Sequence, residues 1–400
     1  MDSNRPARKQ TTAILAVMLT LSLSPSLQAF TVPPDMDKAL LQAMTDLYNI
    51  NAPRSEQEFQ KTIGRFPEEP LPHLFYAGCL WWLAAEEFQN PALRESLKKK
   101  FEKEITETIR AAKAKTERLG SENDEICFCL GGAYGLSGRW KVLDGHWLKA
   151  YNDGKMGQAY LRKAVTLNPQ LYDADLGLGI YDYYTDTLSG FFKRLAASVF
   201  LRGNKERGLE ELRTASLQGH FSVVEAKLFL INVYEKDERD YQKALDIALE
   251  LRKNYPESPL FHYMEIFLLF DVGNDEACAR EALSFIDHIK ARKGAYETRQ
   301  IPLPSLFLAD VQIKKGDAEG AIKTLSDGIG SGVDAPAAWL TYCYLRRGQA
   351  EDILGRRAVA LQDYNQVLGF PNFRGSHKKT KPYLKTPCTL EQAVASMKDR

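Results

Sequence analysis

No sign of charge dominates this chain of 400 residues: 53 Lys and Arg stand against 52 Asp and Glu, a formal net charge of +1. A protein that grips nucleic acid needs a basic face, so this balance argues against that partner. Cysteine is sparse, with only Cys79, Cys127, Cys129, Cys278, Cys343 and Cys388. Six are too few for a disulfide scaffold in a chain of this size. Cys127 and Cys129, two apart on an expected helix, point roughly 200° apart and cannot share a metal or a bond within it. Cys79, Cys129 and Cys343 sit among apolar residues and read as small core side chains.

Catalytic signatures are missing as well. The six His (His73, His146, His220, His262, His288, His377) form no His-Glu-x-x-His pair, and there is no Cys-x-x-Cys. Neither a Gly-x-Ser-x-Gly elbow nor a phosphate loop ending in Gly-Lys-Ser/Thr is present. His262 and Glu265 lie three apart, on one face of an expected helix, but that spacing arises readily by chance. Gly131-Gly132-x-x-Gly135 has no strand before it and reads as close helix packing rather than a nucleotide loop. The reading is therefore of a non-enzyme, with no catalytic residue, no metal and no cofactor.

The N-terminus carries an address. Arg5, Arg8 and Lys9 precede an apolar stretch from Thr11 to Leu23, followed by Ser24-Pro25-Ser26-Leu27-Gln28-Ala29. A basic start, about thirteen apolar residues and a small residue at the end describe a secretory signal, with cleavage expected after Ala29; an uncleaved N-terminal anchor is the competing reading, and either exports the body of the protein. The run is shorter than the roughly 20 residues of a spanning helix. The body, with 50 basic and 51 acidic side chains, is expected in the periplasm or cell envelope.

From Asp35 onward the pattern is helical, and no stretch sustains the period-two alternation of a strand. Pro residues cluster between helices, at Pro53, Pro67, Pro70, Pro72, Pro169, Pro256, Pro259, Pro302, Pro304, Pro336 and Pro371. Pro cannot continue a helix but tolerates its first turn. Between these breaks a hairpin code recurs, of small and large apolar residues at turn spacing. Segment 302–335 supplies Leu308-Ala309, Gly316, Ala321, Leu325 and Gly328, and segment 225–256 supplies Leu230, Tyr234, Ala244, Ala248, Leu251 and Pro256. Further copies show as Gly157, Leu161, Ala164 and Asn168-Pro169, and as Ala360, Tyr364, Val367 and Pro371. Such hairpins cannot bury an apolar face alone and must stack. We expect an all-α, right-handed solenoid of about seven to nine antiparallel hairpins over residues 30–371. Residues 90–118, rich in Lys and Glu, read as a solvated capping or bridging helix. Residues 372–400 read as a basic, mostly flexible tail with a short helix near Leu390–Met397.

These repeats resemble the tetratricopeptide (TPR) superfamily over roughly residues 38–371. Gly-Gly-Ala-Tyr-Gly (131–135), Leu-Gly-Ile-Tyr-Asp-Tyr-Tyr (178–184) and Gly-Asn-Lys-Glu-Arg-Gly-Leu (203–209) are similar to a subgroup of exported bacterial TPR proteins without an assigned activity. A fainter similarity runs to a mitochondrial outer-membrane TPR family with an apolar insertion in the same place. The resemblance implies a non-catalytic scaffold that binds a polypeptide partner in a concave groove lined by the first helix of each hairpin. Transferred to this sequence, it implies groove positions at Asp173, Leu176, Ile180, Tyr183, Tyr184, Leu228, Asn232, Leu306, Asp310, Ile313 and Lys314. Space-filling between helices is the competing reading for Tyr181, Tyr183 and Tyr184. The insertion 188–201 carries Phe191, Phe192 and Phe200 with Lys193 and Arg194, an amphipathic pattern. It reads as an internal cover or, alternatively, as a peripheral membrane or partner contact.

Overall fold

The computed structural model describes residues 32–86, 91–187, 203–332 and 334–397. Residues 1–31, where the signal is expected, and the whole of the 188–201 insertion lie outside the described residues. Among the described residues the regular structure is helical: α1 (Pro34–Tyr48), α2 (Ala52–Arg65), α3 (Pro70–Glu86), α4 (Pro91–Leu119), α5 (Asp124–Leu143) and α6 (Trp147–Leu167). Then come α7 (Ala174–Thr187), α8 (Lys205–Gln218), α9 (Val223–Asn232), α10 (Tyr241–Asn254), α11 (Pro259–Asp271) and α12 (Asp275–Lys290). The chain ends with α13 (Pro302–Lys314), α14 (Ala318–Ser331), α15 (Ala337–Ile353), α16 (Arg357–Gly369), α17 (Ser376–Lys385) and α18 (Leu390–Ser396).

The turn code is local and physical. Gly316 adopts φ +81°, a left-handed conformation that costs a residue with a Cβ, and so stops α13. Asp317 follows it, and its carboxylate accepts a 2.8 Å hydrogen bond from Gly320 N to cap α14. Gly273 (φ +82°) and Asn274 repeat the device ahead of α12. Each such cap is worth about 1 kcal/mol. Inside α14, Ala321 and Leu325 are fully buried.

Consecutive helices pack as antiparallel pairs, α1 on α2 through α15 on α16, and the first helices of most neighbouring pairs also touch one another. Each pair thus leans mainly on its neighbours, as in a solenoid. The stack also bends back on itself. Asp37 of α1 meets His220, 183 residues along the chain, at 2.6 Å. Nearby, the rings of Tyr48 and Tyr255 lie 5.5 Å apart, centroid to centroid, and those of Phe75 and Phe221 4.7 Å. The inner layer of the first five hairpins therefore wraps around a deep, partly open hollow.

Two expectations change. The charged segment 90–118 is no solvated bridge: Leu97, Phe101, Ile105, Thr108, Ala111 and Ala112 of α4 are buried at three-to-four spacing, and Glu104 is buried with them against His73 Nδ1 at 2.6 Å, while most of the other Lys and Glu face outward. Between Gly138 and Asp153, α5 and α6 run long on either side of a short turn. The chain beyond Asn372 is helical and docked. Cys388, Ala393 and Met397 are buried, Cys388 N donates to Asp352 Oδ2 at 2.8 Å, and Ser396 Oγ accepts from Arg346 Nη1 at 2.6 Å. The helical body runs through Ser396, past the expected boundary at 371.

Candidate functional site

A cavity of about 760 Å³ fills the curve, lined by α1, α3, α5, α6, α7 and the start of α9. That is within the usual size range of binding cavities. Met44, Leu47, Leu74, Phe75, Leu136, Leu176 and Ile180 give it apolar walls. Glycines set its shape. Gly131 and Gly157 let α5 and α6 meet backbone to backbone, since a Cβ on Gly157 would lie 3.0 Å from Gly131 O. Gly78 and Gly135 face open space, with no atom within 4 Å of where a Cβ would stand. Mid-helix glycine costs about 1 kcal/mol against alanine. At these two positions it widens the cavity.

The polar groups are few. Arg139, one turn beyond Gly135, lies with its guanidinium carbon 3.6 Å from the Trp81 ring centroid and 5.0 Å from that of Phe229. Burial pulls its pKa below the ordinary value, against the attraction of Glu225. Glu225 is pushed up by burial, and Arg139 opposes that shift. Trp81 Nε1 is buried without a hydrogen-bond partner among the described residues. Asp173 closes one end: its Oδ1 accepts from His220 N, Phe221 N, Ser222 N and Ser222 Oγ at 2.7–2.8 Å. Its Oδ2 is buried and unpartnered among the described residues. The site offers an apolar body with the Arg139 cation, the carboxyl groups of Asp173 and Glu225 and a few spare polar atoms.

The expected groove residues divide. Asp173, Leu176, Ile180 and Tyr184 line the cavity together, and Asn232 Nδ2 donates to Tyr184 Oη at 3.0 Å behind it. Tyr183 does not line it: its ring is fully buried, and its hydroxyl donates to Asp237 and Glu238. Asp310 and Ile313 are fully buried too, Asp310 in an ion pair with Arg346. Lys314 is occupied by Asp275 and by the Phe270 ring. Leu228 packs against the core, and Leu306 lines a separate cavity of about 400 Å³ beside α15. In this curl the first helices of the later hairpins bury faces that an open solenoid would present. Phe191, Phe192, Lys193, Arg194 and Phe200 lie outside the described residues.

Arg139, Trp81, Phe75, Gly78 and Glu225 were not marked by the sequence. One signal was there for Arg139: it follows Gly135 by four positions and so shares its helix face.

Hairpin order, capping glycines and stacked first helices decide the architecture. The fold is a TPR-like α-solenoid. No family model matches the chain, and no curated protein does. Among solved structures, yeast Tom70 is similar at a TM-score of 0.39 and 10% identity, over 90% of this chain and 89% of that one. A Rap protein complexed with competence and sporulation factor gives 0.37 and 13%, over 92% and 99%. The TPR domain of P58(IPK) gives 0.24 and 14%, over 92% and 100%.

One polar cluster lies elsewhere. His262 and Glu265 of α11 face Glu281 of α12, with one donor atom from each within 4.8 Å of the others. Burial is the main cause that pulls His262 down to about 3, so its ring is neutral.

Proposed function

We infer that this chain is a non-catalytic, exported interaction scaffold that holds a polypeptide partner in the cavity enclosed by its first five hairpins. The observation that carries the reading is the cavity itself: apolar walls contributed by successive first helices, and open space kept in front of Gly78 and Gly135. A partner suited to it inserts an apolar face and brings a carboxylate to Arg139, whose guanidinium has aromatic faces but no hydrogen-bonded acceptor among the described residues. Export rests on the N-terminal pattern ending at Ala29. No described helix is long and apolar enough to cross a membrane.

The test uses Trp81 and Trp147, both at the cavity wall, as fluorescent reporters. Amphipathic peptides carrying a carboxylate should change their emission on binding. Gly78→Leu and Gly135→Leu should abolish that response with helicity retained, because each fills space now open. Binding that survives both substitutions places the partner elsewhere and ends this reading. N-terminal sequencing of the protein from an envelope fraction should begin after Ala29, and a mature start at Met1 in the cytoplasm would refute export.

A further inference from the structure

We propose that His262, Glu265 and Glu281 form a site for one divalent first-row cation of the zinc type, tying α11 to α12. The imidazole is the informative group. His262 is fully buried, and its Nδ1 is paired with Tyr296 Oη at 2.9 Å. Its Nε2, on the opposite side of the ring, is buried and makes no hydrogen bond of good geometry among the described residues, although the Glu281 backbone lies close enough to favour a proton on the ring. A buried polar atom without a partner costs about 1–3 kcal/mol, so native folds rarely keep one idle.

Nε2 is not aimed at apolar side chains. It faces Glu281 Oε2 at 3.6 Å, beyond hydrogen-bond reach. Around a zinc-type cation, ligand bonds of about 2.1 Å in a tetrahedron set donor atoms roughly 3.4 Å apart. Glu265 stands one helical turn from His262 and completes the three. When Nδ1–H donates to Tyr296 Oη, the lone pair lies on Nε2, directed at the two carboxylates. A hydrogen bond to the far ring nitrogen is the usual way a ligating imidazole is oriented.

The arginines nearby do not consume the cluster. Arg280 Nε donates to Glu281 Oε1 at 3.0 Å and leaves Oε2 turned to His262. Arg252 Nε stands 3.7 Å from Glu265 Oε2, too far for a hydrogen bond. One imidazole and two carboxylates suit Zn²⁺ or Mn²⁺ better than soft, thiolate-seeking ions. Three protein donors leave the remaining position to water.

The experiment uses the untagged full chain, dialysed against EDTA, with Zn²⁺ as the probe in calorimetry and in thermal melts. One equivalent should bind, and saturating Zn²⁺ should raise the melting temperature by roughly 2–4 °C. The E265Q/E281Q variant keeps size and packing, and it should weaken binding about 30-fold or more and erase the thermal shift. If that variant melts early, Glu281→Gln alone is the control, since its side chain is 20% exposed, and it should weaken binding about 10-fold. No stoichiometric uptake by the wild type, or undiminished uptake by the carboxylate variants, overturns the site.

Discussion

Asp37 and His220 hold hands across 183 residues of chain, and with them the first hairpin meets the turn before α9. The pair is part-exposed, at 26% and 45%. A part-exposed polar pair contributes about 0–1 kcal/mol, whereas a buried aromatic side chain contributes about 2–3. The closure is therefore carried by Tyr48, Tyr255, Phe75 and Phe221. We expect Asp37→Asn to cost less than about 1 kcal/mol and Tyr48→Ala about 3–5. Urea unfolding of both variants decides this; equal losses would place the closure in the charges.

The buried pair behaves oppositely. Asp310 and Arg346 are almost wholly enclosed, and Arg346 Nε donates to Asp310 Oδ1 at 2.7 Å. Asp310→Asn leaves the buried guanidinium with neutral acceptors alone, the new amide oxygen, Gln349 and Ser396, and no countercharge. The expected loss is about 3–5 kcal/mol in denaturant melts, and the double change Asp310→Leu with Arg346→Met should recover most of it. Additive losses in the double variant would contradict this account.

Glycines that look alike in sequence should respond with opposite signs. A Cβ on Gly208 would lie 2.6 Å from Tyr183 N and 2.9 Å from Gly179 O, where α7 and α8 touch. Gly208→Ala should destabilise by about 1–3 kcal/mol. Gly78→Ala meets nothing within 4 Å and should stabilise by about 0.5–1 kcal/mol through helix propensity. Thermal melts of the two variants moving in the same direction would refute the geometry.

Stability should also carry a pH signature from the junction of α6, α7 and α8. Burial pushes Glu211 up to about 7; Arg162 opposes this, and the Asp182 carboxylate adds to it. The folded state thus binds a proton that the unfolded chain releases near pH 4.3, so this group's contribution falls as pH rises from about 4 to 7. Glu211→Gln should be more stable than the wild type at pH 8 by about 1–2 kcal/mol, after discounting for solvent screening. The gap should close below about pH 5. A difference independent of pH would rule this out.

Much of the fold was legible because its determinants are local. Gly316-Asp317, the Pro at helix starts and the Ala321–Leu325 stripe act within one or two turns, and the chain writes them next to each other. The hairpin between 302 and 331 could therefore be read directly. The curl could not, since it depends on Asp37 and Tyr48 finding His220 and Tyr255, and no period in the sequence links them. That hidden closure also explains the mixed fate of the groove positions. Leu176, Ile180 and Tyr184 belong to hairpins inside the curve, whereas Asp310 and Ile313 lie on a helix packed beneath α15 and α18. The tail misled for a simpler reason. Its Lys-rich face is all that composition registers, while Thr380, Ala393 and Met397 on the other side do the anchoring.

That tail has a mechanical consequence. A pile of like units carries no inherent last member, and a bare final hairpin invites another molecule to add on. Here Arg357 grips the carbonyls of Tyr383 and Leu384 to seat α17 on α16, and α17 turns Lys378, Lys381 and Lys385 outward. Positive charge thus stands where α16 would otherwise present an apolar step, so α17 does for this pile what a polar capping unit does for a solenoid.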